Sequence, residues 1–348
     1  MRARFAWAAV VMIGAGAGAG GASAADWQTD QDAGWKAYKE GKIAEAEALL
    51  KSAEASARAF GAEDPRLAIT LDHLSWVYCA EGRCDEAEPL AKEALAIREK
   101  VAAGDPAVMA DALNTLAAVY DSAGKPAQAR PLYVRCLAAA EKADGPESAG
   151  VAAALDNLAA VDAAVGEIAE AESLFKRALA VREKLAGAKP VDLTATLHDL
   201  SLLYMDQKRY AEAEPLLKRS LAIREEALGA GHPDVASSLE ALGWLYASQG
   251  RAAEAEPLLK KALAIYEADL GKDHPHVARC VGELGRVCLS RGDQLEAEAC
   301  CKRAVAILEK AGGDPRELAE ALDDYAAVLK NAAAKLEAQA AELRKPGK

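Results

Sequence analysis

YAEAEPLLKRSLAIREEALGAGHPDV, residues 210–235, is followed at residues 252–277 by AAEAEPLLKKALAIYEADLGKDHPHV. At an offset of 42 the two segments agree at 17 of 26 positions. A single globular core has no physical reason to repeat itself in this way, whereas a stack of like units does. Indexed on the glycine that precedes each "EAE" element, the period extends along the chain. Gly41, Gly82, Gly124, Gly166, Gly250 and Gly292 follow at steps of 41 or 42 residues, with Lys208 filling the one gap. Five residues after each comes an alanine, from Ala46 to Ala297, and eight before each, from the second unit on, a leucine, from Leu74 to Leu284. A second glycine series runs Gly61, Gly104, Gly145, Gly187, Gly229, Gly271 and Gly313.

Within one period the apolar spacing is helical. Val235, Leu239, Leu242, Leu245 and Tyr246 form a stripe between Pro233 and Gly250. Proline at a first helical position loses no hydrogen bond, and the residue before it (Asp64, Asp105, Asp314, His232, His274) is placed to cap. Gly250 ends this helix, and a second runs to Gly271, where glycine suits a left-handed cap. Pro89, Pro215 and Pro257 fall about five positions into the second helices and predict a widened or bent first turn. Each period is therefore an antiparallel hairpin whose apolar face only its neighbours can cover.

Bulk properties agree. Aromatic residues make up 5 % of the chain, and alanine and leucine dominate, which favours helix throughout. The formal charge of −12 argues against nucleic acid or anionic lipid as the main partner. The start is different in kind. A basic MRAR, an apolar glycine-broken run and Ala22-Ser23-Ala24 predict a secretory leader over residues 1–24, cleaved before Ala25, hence export to a periplasm or the exterior with no membrane insertion afterwards. Gly16-x-Gly18-x-x-Gly21 matches a dinucleotide fingerprint on paper but falls in this leader and opens no helix after a strand.

The pattern Leu-x2-Leu-Gly/Ala-x2-Tyr…Gly-x4-Ala resembles the tetratricopeptide repeat. Its 42-residue length, with elements such as "AEPLLKRSLAIREE" and "HPDVA", is similar to the long repeats of kinesin light chains and bacterial relatives. The resemblance implies an all-α solenoid, a right-handed superhelix of about seven hairpins over residues 25–333. The hairpins are placed at about 27–60, 64–104, 105–145, 147–187, 190–229, 233–271 and 275–313. A closing helix follows from 315, then a polar capping helix and tail over 334–348. No heptad segment precedes the array, so motor transport is not implied.

The resemblance also implies that first helices line a concave groove, at positions 13, 10, 9 and 6 before the index glycine. Thirteen before stand Asp111 and Arg279; ten before, Asp72, Asn114, Asp156, His198 and Glu240; nine before, His73, Thr115, Asn157, Asp199 and Glu283. Six before stand Trp35, Trp76, Leu202, Trp244 and Arg286, so three tryptophans share one register. Tryptophan is favoured at binding hot spots, and is equally suited to packing against the next hairpin. The groove reads as acidic in its middle and basic at its far end, which fits a polar or cationic protein segment with an apolar anchor; the alternative is a solvated acidic face.

Cys79 and Cys84 flank one turn and are a possible disulfide in an exported protein, with buried thiols the alternative for all seven cysteines. Metal-ligand spacing is poor, and Glu172, Glu214 and Glu256 each precede a lysine by four residues, so the basic pairs at Lys176, Lys218 and Lys260 read as helical ion pairs. No catalytic motif stands out, and no cofactor, metal or nucleic acid is expected. The leading expectation is a non-catalytic interaction scaffold. An assembly or regulatory subunit docking through its outer face or ends comes second, and an enzyme or small-ligand receptor third.

Overall fold

The computed structural model describes residues 22–185, 190–311 and 315–343. The expected leader as far as residue 21, Gly187, Gly313, Asp314 and the last five residues lie outside them. Among the described residues there is no strand, and the chain divides into two units, 1–188 and 189–348.

Unit 1 holds four hairpins: α1 (Ala22–Lys39) with α2 (Ile43–Arg58), α3 (Pro65–Ala80) with α4 (Cys84–Val101), α5 (Pro106–Ser122) with α6 (Pro126–Asp144), and α7 (Ala149–Val165) with α8 (Ile168–Leu185). Unit 2 opens with a 3₁₀ turn at Pro190–Leu193. It continues as α9 (Thr194–Asp206) with α10 (Tyr210–Leu228), α11 (Pro233–Ser248) with α12 (Ala252–Leu270), α13 (Pro275–Ser290) with α14 (Gln294–Ala311), and α15 (Pro315–Leu343). In each unit a second helix packs on the first helix of the next hairpin, and first helices also touch across hairpins, as α1 on α3, α3 on α5 and α11 on α13. This is solenoid stacking.

The registers read from the sequence are the core. All seven alanines of the Ala46 series have no exposed surface, and every leucine of the Leu74 series is buried. Gly243 shows why small residues recur between them: a Cβ there would lie 2.8 Å from Leu259 Cγ. The first-helix caps form as expected at Asp64, Asp105, His232 and His274, whose side chains each accept a backbone N–H two residues on.

Of three local features, the first and third follow the expectation and the second departs from it. Lys208 occupies the glycine's place in the turn with φ +59°, the left-handed conformation that six glycines supply in the other hairpins. The glycines that end second helices are not left-handed caps: Gly145 and Gly229 combine φ of 80° and 83° with ψ of 167° and 151°, a region only glycine enters easily. The second helices start before their prolines, so Pro89 sits inside α4 and Pro215 inside α10. There packing of the whole apolar face outweighs one lost backbone bond.

The largest difference is at the end. The closing helix and the capping helix expected from residue 334 are one uninterrupted 29-residue helix, α15. Its alanine, leucine, lysine and glutamate all favour helix, so no signal stops it.

Candidate functional site

The predicted groove residues lie on first helices. In unit 1, Asp72 of α3 is buried and pairs with Arg98 of its own hairpin's second helix. Asp156 of α7 is likewise buried, 2.7 Å from Arg182. These are not solvated groove acids. Burial pushes the Asp72 carboxyl up to about 6, with Arg98 acting against the shift. Each partner lies 26 residues downstream, in the "AIRE" or "AVRE" element. The pairing was therefore present in the sequence of these two hairpins, as an acid ten before the glycine with an arginine 26 residues on; Arg224 keeps the arginine opposite His198.

The position nine before the glycine is also taken. Gln31 of α1 donates its amide to His73 Nδ1, while Gln31 Oε1 accepts from Thr70, whose hydroxyl in turn accepts from the Trp27 indole at 2.9 Å. The Trp35 ring stacks on His73 at 4.0 Å, nearly parallel. Burial pushes the His73 imidazole down to about 3 and so holds it neutral. Two helices on, Asn157 donates to Asn114 at 2.8 Å, linking α7 to α5. Thr115 is buried and returns its hydroxyl to the backbone of Asp111. Gln31–His73 and Asn157–Asn114 thus bridge one first helix to another, while Thr115 bonds within its own helix.

What stays open on the first-helix face of unit 1 is mostly apolar. Trp35 and Trp76 are half-buried in the row six before the glycine, Ala160 is exposed, and Ile69 and Asn114 are partly covered; Asp111 is the exposed carboxylate of the predicted set.

Unit 2 carries the same registers with different chemistry. His198 is buried, Asp199, Leu202 and Trp244 are half-buried, and Arg279 and Arg286 are exposed. Glu240 is buried beneath Arg279, which reaches it from the next hairpin through two bonds of 2.8 and 2.7 Å, and it also accepts from the Tyr266 hydroxyl at 3.1 Å. Glu283, buried, pairs with Arg286, which also approaches Asp324 of α15 at 3.6 Å. Burial raises the Glu283 carboxyl above its ordinary value. The acidic middle expected from the sequence is thus neutralised by arginines from three directions.

One pair was missed in the sequence. Asp162 stands where other repeats have tyrosine, is buried, and accepts from Arg130 Nε at 2.7 Å. Elsewhere the same two places hold a tyrosine donating to a glutamate, as Tyr246 to Glu214 at 3.1 Å. Both partners change together, and that double exchange was the available signal.

Cys79 and Cys84 are free thiols, both buried, with Cys79 hydrogen-bonded to Cys84. Burial pushes the Cys79 thiol well above its usual range, which disfavours the thiolate that oxidation requires. The three helical lysine–glutamate pairs form at 2.6 to 2.7 Å. Among the described residues no His, Cys, Asp and Glu cluster could hold a metal ion, and no helix is long and apolar enough to cross a membrane.

A family model described as tetratricopeptide repeat matches residues 37–100, 108–184, 192–268 and 247–310. No significant match exists among curated proteins. Among solved structures, a Podosopora anserina protein described by nearly identical kinesin-light-chain TPR-like repeats is 27 % identical, with TM-score 0.52, over 60 % of this chain and 97 % of its own. BtubC of P. vanneervenii is 23 % identical, with TM-score 0.54, over 72 % and 93 %. The apo form of RapI is 15 % identical, with TM-score 0.63, over 82 % and 99 %. The last two speak for the fold alone.

Proposed function

The chain belongs to the tetratricopeptide repeat family, and on that premise we propose that it is a non-catalytic scaffold holding an extended segment of a partner protein against a first-helix face. Repeats of this family generally mediate protein–protein interaction. The observation that carries the proposal is the row six before the glycine. The polar rows beside it are committed internally, yet Trp76 in unit 1 and Trp244 in unit 2 remain half-open. Large aromatic rings that keep part of their surface exposed are efficient anchors, because little side-chain freedom is lost on binding. Of the polar or cationic segment with an apolar anchor that the sequence suggests, we favour the polar form: paired carboxylates attract cations weakly, so the segment contributes a bulky apolar side chain and polar flanks.

The test uses residues 25–348 and a displayed library of random peptides. Enriched peptides carry a bulky apolar residue, and Trp76→Ala with Trp244→Ala weakens their binding at least about tenfold, with helical circular dichroism unchanged. Undiminished binding refutes the assignment.

A second reading, docking through second helices, is favoured by one observation. A cavity of about 450 Å³ opens between α12 and α14 over Leu263, Val281 and Leu284, beside Leu295, which is 82 % exposed. Under that reading Leu295→Lys abolishes binding and the tryptophan changes are silent.

Export is part of the proposal. Trp27 is the first core side chain after the predicted cleavage point, 4 % exposed, so removal of residues 1–24 leaves the network on Thr70 intact. N-terminal sequencing of protein from the cell of origin returns Ala25 if export is right and Met1 if it is not.

A further inference from the structure

α15 has two unlike faces. One packs on α13 and α14: Val328 is buried, Tyr325 joins the cluster of Cys288, Ala297 and Cys301, and Gln294 Nε2 donates to the Val328 carbonyl at 2.7 Å. The other face carries Leu322, Leu329 and Leu336, which are 45 %, 44 % and 66 % exposed and spaced by seven. Ala319, Ala326, Ala333 and Ala340 lie three before and four after them, and Leu343 continues the series. The other exposed large apolar side chains among the described residues fall singly on five different helices. Leucine at one core position of a heptad and alanine at the other is the seam of a coiled coil. A strict seven-residue period drifts around a lone helix of 3.6 residues per turn, so it has a purpose only against a second helix.

We propose that this face of α15 is a self-association surface, on which a second copy of the chain lays its own α15 antiparallel. The charges select the partner and its direction. Asp323, Lys330 and Glu337 follow each leucine by one residue and alternate in sign along one edge of the seam. In an antiparallel pair these edges face each other. With Ala333 set beside Leu336 of the second copy, and Leu329 beside its Ala340, Lys330 meets the other copy's Glu337, and two-fold symmetry makes the pair twice. A parallel pair instead brings this edge against the row of Leu318, Tyr325 and Ala332, part-buried on the side that packs on α13 and α14. Docking has already ordered the first half of α15, so association has only the second half to fix. From Ala333 to Ala341 that half is exposed on nearly every side.

Sedimentation equilibrium of residues 25–348 between 2 and 200 µM reads the outcome. The expected result is a dimer that Leu329→Lys with Leu336→Lys converts to monomer, halving the mass without loss of helicity, since both side chains already face solvent. Lys330→Glu and Glu337→Lys each weaken the dimer about tenfold by placing like charges opposite. The double exchange restores it, and an equimolar mixture of the two single variants forms a heterodimer. A monomer at every concentration, or a dimer indifferent to the leucine changes, overturns the proposal. Leucine-sensitive association indifferent to the charge exchange overturns the antiparallel pair, and oligomers that grow end to end assign the face to another occupant.

Discussion

The first-helix faces of units 1 and 2 share every register and differ in how they neutralise their polar rows. In unit 1, Asp72 and Asp156 find an arginine on their own hairpin's second helix, and the bridges from one first helix to another are uncharged, Gln31 to His73 and Asn157 to Asn114. In unit 2, Tyr266 takes the arginine's place, and Glu240 reaches forward to Arg279 in the next hairpin. The same buried carboxylate thus ties a hairpin to itself in one unit and to its successor in the other. The small and leucine registers set the stack. The polar registers are free to change, provided that both partners change.

The sharpest break of that contrast is to strip an arginine from each side. Arg182→Met takes the guanidinium away from buried Asp156, and should cost roughly 3 kcal/mol by urea denaturation. Arg286→Met strips buried Glu283 in the same way, but the arginine's own side chain is 51 % exposed, so the loss should be smaller, about 1–2 kcal/mol. Equal losses would show that the two faces do not differ as described.

The co-variation of partners is tested at Asp162. Asp162→Tyr alone leaves Arg130 facing a ring, and adding Arg130→Glu recreates the Tyr246–Glu214 arrangement. The double variant should recover on the order of 1–2 kcal/mol relative to the summed single losses. Strict additivity would mean that the two positions are independent.

The neutral bridge predicts a pH dependence at His73, which its buried neighbour Asp72 opposes. His73 falls from its ordinary 6.5 to about 3 on folding, so stability is full above pH 6.5 and is lost as pH falls toward 3. Asp72 works the other way: its carboxyl rises from 3.8 to about 6, so its contribution is full below 3.8 and lost as pH rises through 6. The histidine shift is the larger. His73→Asn should therefore gain on the unsubstituted chain as pH drops from 6.5 to 4, and Asp72→Asn should fall behind it, in urea midpoints measured at each pH. Parallel curves would contradict the burial of both groups.

The smallest effect concerns the turn in unit 2. Lys208→Gly should stabilise by about 0.5–1 kcal/mol, because the left-handed conformation is strained for lysine and free for glycine. No change in thermal midpoint would show that the strain is relieved elsewhere.

Much of this was legible in the chain. Lys208 could be placed in its turn because six glycines mark the same position, and Ala213, Leu242 and Gly243 could be placed in the core because each recurs at a fixed offset. The candidate site was legible only as positions. His73, Asn114, Asp156 and Glu240 do lie on first helices, as their register requires. Whether each faces a ligand or a neighbour depends on residues 26 to 43 positions away, and on the approach of helices that periodicity does not describe. The sequence alone determined the period, the helices and their small-residue seams, since these follow from local propensity and from which faces must be buried. Only the tertiary structure decided that the acids are matched and that α15 runs on with a leucine seam uncovered. Desolvation and pairing are properties of what surrounds a side chain, and those surroundings come from other turns of the stack.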